Sequence, residues 1–235
     1  SSGAFTRLQV AAPPPKQFKA IVTHSTTAPS YKDDIHTMGG CQLVDNVAWA
    51  STMFTLLSYP PDPALVGDRW REMWLERLEN EPLLIDNWLQ HQRRDAFWKH
   101  GSVCENYGDI TAAVYAVGGW GDGYSNAVPR LLSGLKGPKK GLVGPWAHRY
   151  PHFAEPGPRI GFLHETLRWW DYWLKGIETG IMQEPEYRVW MEEFVPPAPY
   201  YKERPGRWVA EPCWPSPNVA MRDFHLAPGS LGAKP

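Results

Sequence analysis

The chain has 235 residues, 43% of them hydrophobic, and a formal net charge of −1. That is enough for one good core, or one core and part of another, and the balanced charge excludes a global field suited to nucleic acid or an anionic membrane. The three cysteines, Cys41, Cys104 and Cys213, are far apart and form no C-x-x-C pair, so neither a zinc site nor a disulfide framework is supported and free thiols in a reducing compartment are favoured.

Residues 2–12 read as a short helix of small residues, which the prolines at 13–15 break. Phe18 to His24, FKAIVTH, is a short β-branched run and predicts a strand. After a loop that ends in Gly39-Gly40, the pattern turns helical from Cys41 to about His100. Val66, Trp70, Met73, Trp74 and Leu78 make one helical stripe, with Arg71, Glu72, Glu76 and Arg77 off it as a solvated face. Glu81-Pro82 restarts the chain, and Leu84, Ile85, Trp88 and Leu89 make a second stripe. Ile110 to Gly119 predicts another strand. The run from Ser125 follows as a helix, with Ser125 as its cap, Pro129 in the first turn and Gly137 past its end. Lys139 to His148 predicts another short apolar strand. GFLHETLRWWDYWLKG then predicts a helix that buries Leu163, Leu167, Trp170 and Leu174, with Gly176 just beyond it.

Strand, helix, strand, helix over 110–176 is the signature of a parallel sheet. Beyond residue 184 short strand-like pieces alternate with Pro-rich turns and predict the start of an all-β region. Thirteen Trp residues point to aromatic-lined interfaces or clefts, and 24 Pro with 21 Gly exclude a simple helix bundle. No run of about 18 apolar residues predicts a membrane span, and the first residues carry no basic-then-apolar leader. A cytoplasmic location is expected, with secretion left open.

The stretch GGWGDGYS, Gly118 to Ser125, sits between a predicted strand and a predicted helix. A phosphate cradle would need a Lys after the glycines, and none follows; Asp122 would repel the anion. His148 and His152 are four apart, but Pro151 would break a helix presenting both to a metal and no Glu follows the first His. No metal or cofactor is therefore expected. Asp122 falls just past one strand and His148 at the end of the next. In a parallel sheet those ends lie side by side at the ligand-binding face. A carboxylate beside an imidazole orients it and supports it as a general base. On residues alone, Asp122 as a helix cap and His148 as a packed core residue are the readings that come first.

Three motifs then occur in the order nucleophile, acid, histidine, as in α/β-hydrolases. Ser1-Ser2-Gly3-Ala4-Phe5, running into Leu8-Gln9-Val10-Ala11-Ala12, resembles the second half of a G-x-S-W-G-G-F elbow. Gly119-Trp120-Gly121-Asp122-Gly123-Tyr124 resembles G-W-x-D-G-Y, and Gly144-Pro145-Trp146-Ala147-His148 resembles G-P-W-x-H. With the segments DDIHTMGGC, DNVAWAS and LRWWDYWLKG, the chain resembles the cocaine esterase and X-Pro dipeptidyl-peptidase (CocE/NonD) family of serine hydrolases along nearly its whole length. Ser2 replaces the family Trp and Ala4 a family Gly. Ala4 also stands where α-amino ester hydrolases carry an acid, which sets the chain apart from that subgroup.

The resemblance implies an internal portion of an α/β-hydrolase with a helical cap insertion, followed by the start of a C-terminal jelly roll. The expected units are 1–40 and 106–183 for the hydrolase core, 41–105 for the cap and 184–235 for the β-sandwich. It implies Ser1, Asp122 and His148 as catalytic residues, the Ser2 backbone N–H as one oxyanion donor, and a Tyr outside this chain as the other. Trp70, Trp74, Trp88, Trp120 and Trp146 are candidates for substrate contact. The expected partner is a small ester or short peptide, with no nucleic acid or membrane, and with self-association left open. The competing reading is an inactive fragment or a carbohydrate-binding or interaction module built on the Trp-rich β region.

Overall fold

The structure, a computed structural model, describes residues 2–12, 17–32 and 35–232. In chain order come α1 (Ser2–Val10), β1 (Ala20–His24), β2 (Thr37–Met38), β3 (Cys41–Gln42), α2 (Asp45–Leu57), α3 (Pro63–Val66), α4 (Trp70–Asn80), α5 (Leu84–Gln90) and α6 (Ala96–Lys99). Then follow β4 (Ala113–Gly119), α7 (Ala127–Gly134), β5 (Lys139–Gly144), α8 (Phe162–Lys175), β6 (Tyr187–Glu192), β7 (Gly206–Glu211), β8 (His225–Ala227) and β9 (Ser230–Gly232). Five strands form one sheet in the order β1-β4-β5-β6-β7. β1, β4, β5 and β6 run parallel, and β7 returns antiparallel to β6. The class is α/β, as the alternation of strand and helix predicts.

Strand β4 is buried along its whole length, as a strand covered on both faces must be. Alternate side chains leave it on opposite sides. Val114 and Ala116 enter a cluster with Leu8, Ala11, Val128, Leu131 and Leu132. Tyr115 and Val117 enter another with Leu142, Trp146, Phe162 and Trp169. α1 and α7 thus cover one face and α8 the other. Each fully buried Leu, Val or Phe contributes about 1.5–3 kcal/mol relative to exposure.

Helix α8 corrects one expectation. Leu163, Leu167 and Leu174 are 64%, 50% and 57% exposed, while Phe162 and Trp169 are buried. His164, Arg168, Asp171 and Lys175 share one polar face, and the apolar arc opposite is wide, so periodicity alone offered either of its edges to the sheet. The face with the larger rings meets the sheet, and it also carries Glu165, which accepts a hydrogen bond from the Tyr115 hydroxyl at 2.7 Å. The helix ends as its sequence predicts: Gly176 takes φ +70° and the Ile177 N–H reaches back to the Asp171 carbonyl at 3.1 Å.

Two pieces of the expected separate β region extend the main sheet instead. Tyr187 and Val189 of β6 pack with Val143 and Leu132 in the first core cluster. Buried Lys140 donates to the carbonyls of Glu184 and Pro185 at 2.9 Å, which ties β5 to the segment entering β6. Burial pulls the Lys140 ammonium down to about 8. Arg188 donates to the Tyr115 hydroxyl at 2.7 Å, which binds β6 to β4. β8 and β9 form a hairpin of their own.

The helices between residues 45 and 99 pack differently. α3, α4 and α5 contain no buried residue. Val66, Trp70, Met73 and Trp74 are half-buried and Leu78 is exposed, while Arg71, Glu72, Glu76 and Arg77 are exposed as expected.

Candidate active site

The loops that follow β4 and β5 meet through their main chains. Trp120 N–H donates to the Gly144 carbonyl at 2.9 Å, and Gly121 N–H to the Trp146 carbonyl at 3.1 Å. A Cβ on Gly119 would collide with the Trp146 carbonyl, and one on Gly144 with the Trp146 indole. None of Gly118, Gly119, Gly121 and Gly123 takes a positive φ. Gly119 is therefore there for close approach between the two loops, and Gly144 to make room for the Trp146 indole of its own loop; neither is there for an unusual turn.

This approach brings Asp122 to His148. Both carboxylate oxygens lie 3.1 Å from His148 Nδ1. The Asp122 side chain is 3% exposed and the His148 side chain 50%. The carboxylate is thus enclosed and the imidazole is open. Asp122 Oδ1 also accepts the Tyr124 N–H at 3.2 Å, so it serves as a local cap as well as facing the histidine. Ser125 does not cap α7: the N-cap is Asn126, which makes no side-chain capping bond. Burial pushes the Asp122 carboxyl up, but hydrogen bonds from His148 and Ser25, the His148 charge and the Tyr124 N–H outweigh it and hold the group below its usual range. With Nδ1 committed to the carboxylate, Nε2 is the nitrogen left to take a proton from a reacting group.

The loop carrying His148 is pinned, just before the histidine, to the segment 155–158. Trp146 Nε1 donates to the Pro158 carbonyl at 2.8 Å and Ala147 N–H to the Glu155 carbonyl at 3.0 Å. Trp146 itself is fully buried, so it belongs to the core and presents no open wall to a ligand. Trp120 is 41% exposed, and its indole donates to the Trp190 carbonyl at 2.7 Å. It lines a cavity of about 450 Å³ with Gly121, Ala147, Arg149, Tyr200 and Tyr201. That cavity borders the residues on either side of His148, but neither Asp122 nor His148 lines it. Trp70 stacks on Trp74, whose indole donates to the Ser58 carbonyl at 2.8 Å. Trp88 meets His36 edge-on at 4.8 Å and lines a smaller cavity of about 90 Å³. The five tryptophans are thus spread over three parts of the molecule. Ser1 lies outside the described residues; Ser2 begins α1.

Sequence reasoning missed the end of β1. His24 is buried there, 5.0 Å from the Tyr150 ring and 6.4 Å from the His148 ring between centroids. Desolvation pulls its imidazole down to about 4; the Asp122 charge opposes this, and the smaller effect of His148 adds to it. Ser25 follows, buried, with φ +50°. The available signal was its position: it stands just past β1, as Asp122 stands past β4 and His148 past β5.

The profile of the X-Pro dipeptidyl-peptidase (S15) family matches residues 1–150. A Mycobacterium bovis protein named as a candidate serine esterase is 33% identical over 123 residues, covering 49% of this chain and 18% of that protein. The cocaine esterase of a Rhodococcus species is 23% identical over 165 residues, covering 65% of this chain and 26% of the esterase. The chain thus spans 18% and 26% of the length of these relatives. Among solved structures, a CocE/NonD family hydrolase of Staphylococcus aureus superposes with a TM-score of 0.71 at 16% identity, over 98% of this chain and 37% of that one. An aminopeptidase from a marine sediment Thaumarchaeota archaeon does so with 0.64 at 16% identity, over 98% and 41%. No helix among the described residues is long and apolar enough to cross a membrane. With more than half its length matched, the chain belongs to the X-Pro dipeptidyl-peptidase (S15) family.

Proposed function

We propose that this S15-family chain carries the nucleophile, base and acid of a serine hydrolase that cleaves an ester or a peptide-like amide through an acyl-enzyme. The observation that carries the reading is the enclosed Asp122 carboxylate with both oxygens 3.1 Å from Nδ1 of a half-open His148. His148 Nε2 takes the proton of Ser1 Oγ as that oxygen attacks the acyl carbonyl, and Asp122 stabilises the imidazolium that forms. The proton then passes to the leaving group. Water, deprotonated by the same nitrogen, releases the acid.

The placement of α1 supports Ser2 at this end of the sheet. α1 packs against β1, and Arg7 donates to the Val22 carbonyl at 3.3 Å. Five residues earlier on the helix is a rise of about 7.5 Å, and two residues further along β1 about 6.6 Å. In this reading α1 runs antiparallel to β1, which brings Ser2 level with His24. The Ser2 N–H, at the helix N-terminus, is the oxyanion donor in this reading, with a Tyr outside the chain as the second.

Trp120 and Trp88, each bordering a cavity, are the stronger substrate contacts of the five tryptophans. Residues 41–105 are, in this reading, the cap over the acyl pocket. The stretch beyond residue 184 leads, in this reading, through the β6–β7 pair into a jelly roll of the whole protein.

A fluorophosphonate probe on the whole protein tests the reading. Ser1 should be labelled, and Ser1→Ala should abolish labelling; labelling that survives places the nucleophile elsewhere. Parallel assays with p-nitrophenyl esters and X-Pro p-nitroanilides separate esterase from peptidase activity.

A further inference from the structure

We infer that the dipeptide His24-Ser25, at the end of β1, is the positioning element of the Asp122–His148 pair: Ser25 aims the acid, and His24 holds the main chain next to the base. The inference rests on the catalytic reading above and adds two residues to it.

Ser25 makes a side-chain hydrogen bond to Asp122. An ionised carboxylate only accepts, so the hydroxyl donates. The same oxygen lies 3.2 Å from His24 Nδ1. To face this way Ser25 adopts φ +50°, the one positive φ of a non-glycine among the described residues. That region is costly for an L-residue, and the turn is fixed by the Ser25 N–H, which donates to the Val117 carbonyl of β4 at 3.1 Å. A strained residue, buried and locked to the strand that leads to Asp122, sends its one proton to the Asp122 carboxylate. Together with the His148 ring nitrogen and the Tyr124 N–H, this gives the carboxylate three donors.

His24 acts on the other partner. Its ring donates to the carbonyl of Arg149, the residue that follows His148. Tyr150 packs on the same ring at 5.0 Å and Phe162 at 6.4 Å. A ring that stays neutral can lie beside His148 without competing for the Asp122 charge. Two adjacent residues on one strand end therefore grip both loops that carry the pair.

Ser25→Gly tests the first half, because glycine adopts the left-handed turn without strain and only the hydroxyl is lost. Ester turnover by the whole protein should fall about ten- to a hundredfold in kcat, the rate equivalent of one hydrogen bond to a charged group. KM should stay within about twofold, since no substrate contact is removed. Asp122 loses a donor to its charged form, so the acidic limb of the pH–rate profile should move to higher pH. For the second half, His24→Leu should lower kcat, and His24→Gln, which keeps an N–H for Arg149, should recover most of it. A Ser25→Gly protein with unchanged kcat and an unmoved acidic limb overturns the inference, as does a His24→Leu protein no slower than His24→Gln. His148→Ala separates the two levels. If it is inactive while Ser25→Gly is normal, only the positioning role fails. If it turns over normally, the catalytic reading fails and this inference with it.

Discussion

The strand ends of the sheet and the helices between residues 45 and 99 follow opposite packing rules. At the strand ends, Asp122, His24 and Ser25 are buried, the loops touch main chain to main chain, and a single added methyl at Gly119 has no room. In the helical stretch, α3, α4 and α5 bury nothing completely, and Val44, Leu65 and Leu83 are exposed. Catalysis by a hydrogen-bonded acid and base tolerates little displacement, since misplacement by about 1 Å can cost a hundredfold. A surface that closes over varied substrates has no such demand. Rigidity is therefore concentrated where the chemistry is proposed, and looseness where recognition is.

The contrast can be broken at its sharpest point first. His148→Ala should lower ester turnover about ten-thousandfold, and Asp122→Asn, which keeps shape but not charge, by a similar factor; steady-state kinetics on the whole protein decide it. Next, Leu131→Ala should destabilise by about 2–5 kcal/mol, because Leu131 is fully buried between α7 and the sheet. Denaturant unfolding reads this, and a loss below 1 kcal/mol would show that this side of the sheet is not the rigid part. A third test uses acid. His24 is held down to about 4 against an ordinary 6.5. Between those values the unfolded chain binds a proton that the folded chain refuses, so stability falls as pH drops from 6.5 towards 4 and this contribution levels off below that. The full effect is about 3 kcal/mol. His24→Phe should flatten the stability–pH curve by that order over this window, and an unchanged slope would place the acid sensitivity elsewhere. The smallest effect belongs to the open region. Leu65→Ala, at a residue 85% exposed, should change stability by less than about 0.5 kcal/mol; a loss of several kcal/mol would mean that this face is covered in solution.

Much of the sheet was legible because alternation of apolar strands and amphipathic helices is a local signal. Ile110–Gly119 contains β4, Lys139–His148 contains β5, and the helix runs between and after them fell in place. Asp122 and His148 could be paired from a distance of 26 positions because parallel strands present their ends together. The face of α8 could not be read: Leu163 and Trp169 are both apolar, and only the available ring-sized space beneath Tyr115 decides between them. Nor could the continuation of the sheet into β6 and β7, which depends on buried Lys140 and Arg188 finding partners far away in sequence. Ser25 escaped because a positive φ at a serine leaves no trace in composition or period; it becomes visible only when the neighbouring strand supplies the Val117 carbonyl and the Asp122 carboxylate.

The two main-chain bonds between the loops, Trp120 to Gly144 and Gly121 to Trp146, have a consequence for how the molecule breathes. Amide protons on surface loops normally exchange with solvent within the fast, fraying range of local openings. These two cannot open without parting β4 from β5, so their exchange should follow that of the central strands and slow to the same degree. The acid and base would then open and close as one unit with the middle of the sheet, and thermal motion that loosens the helices at 45–99 would leave their separation untouched.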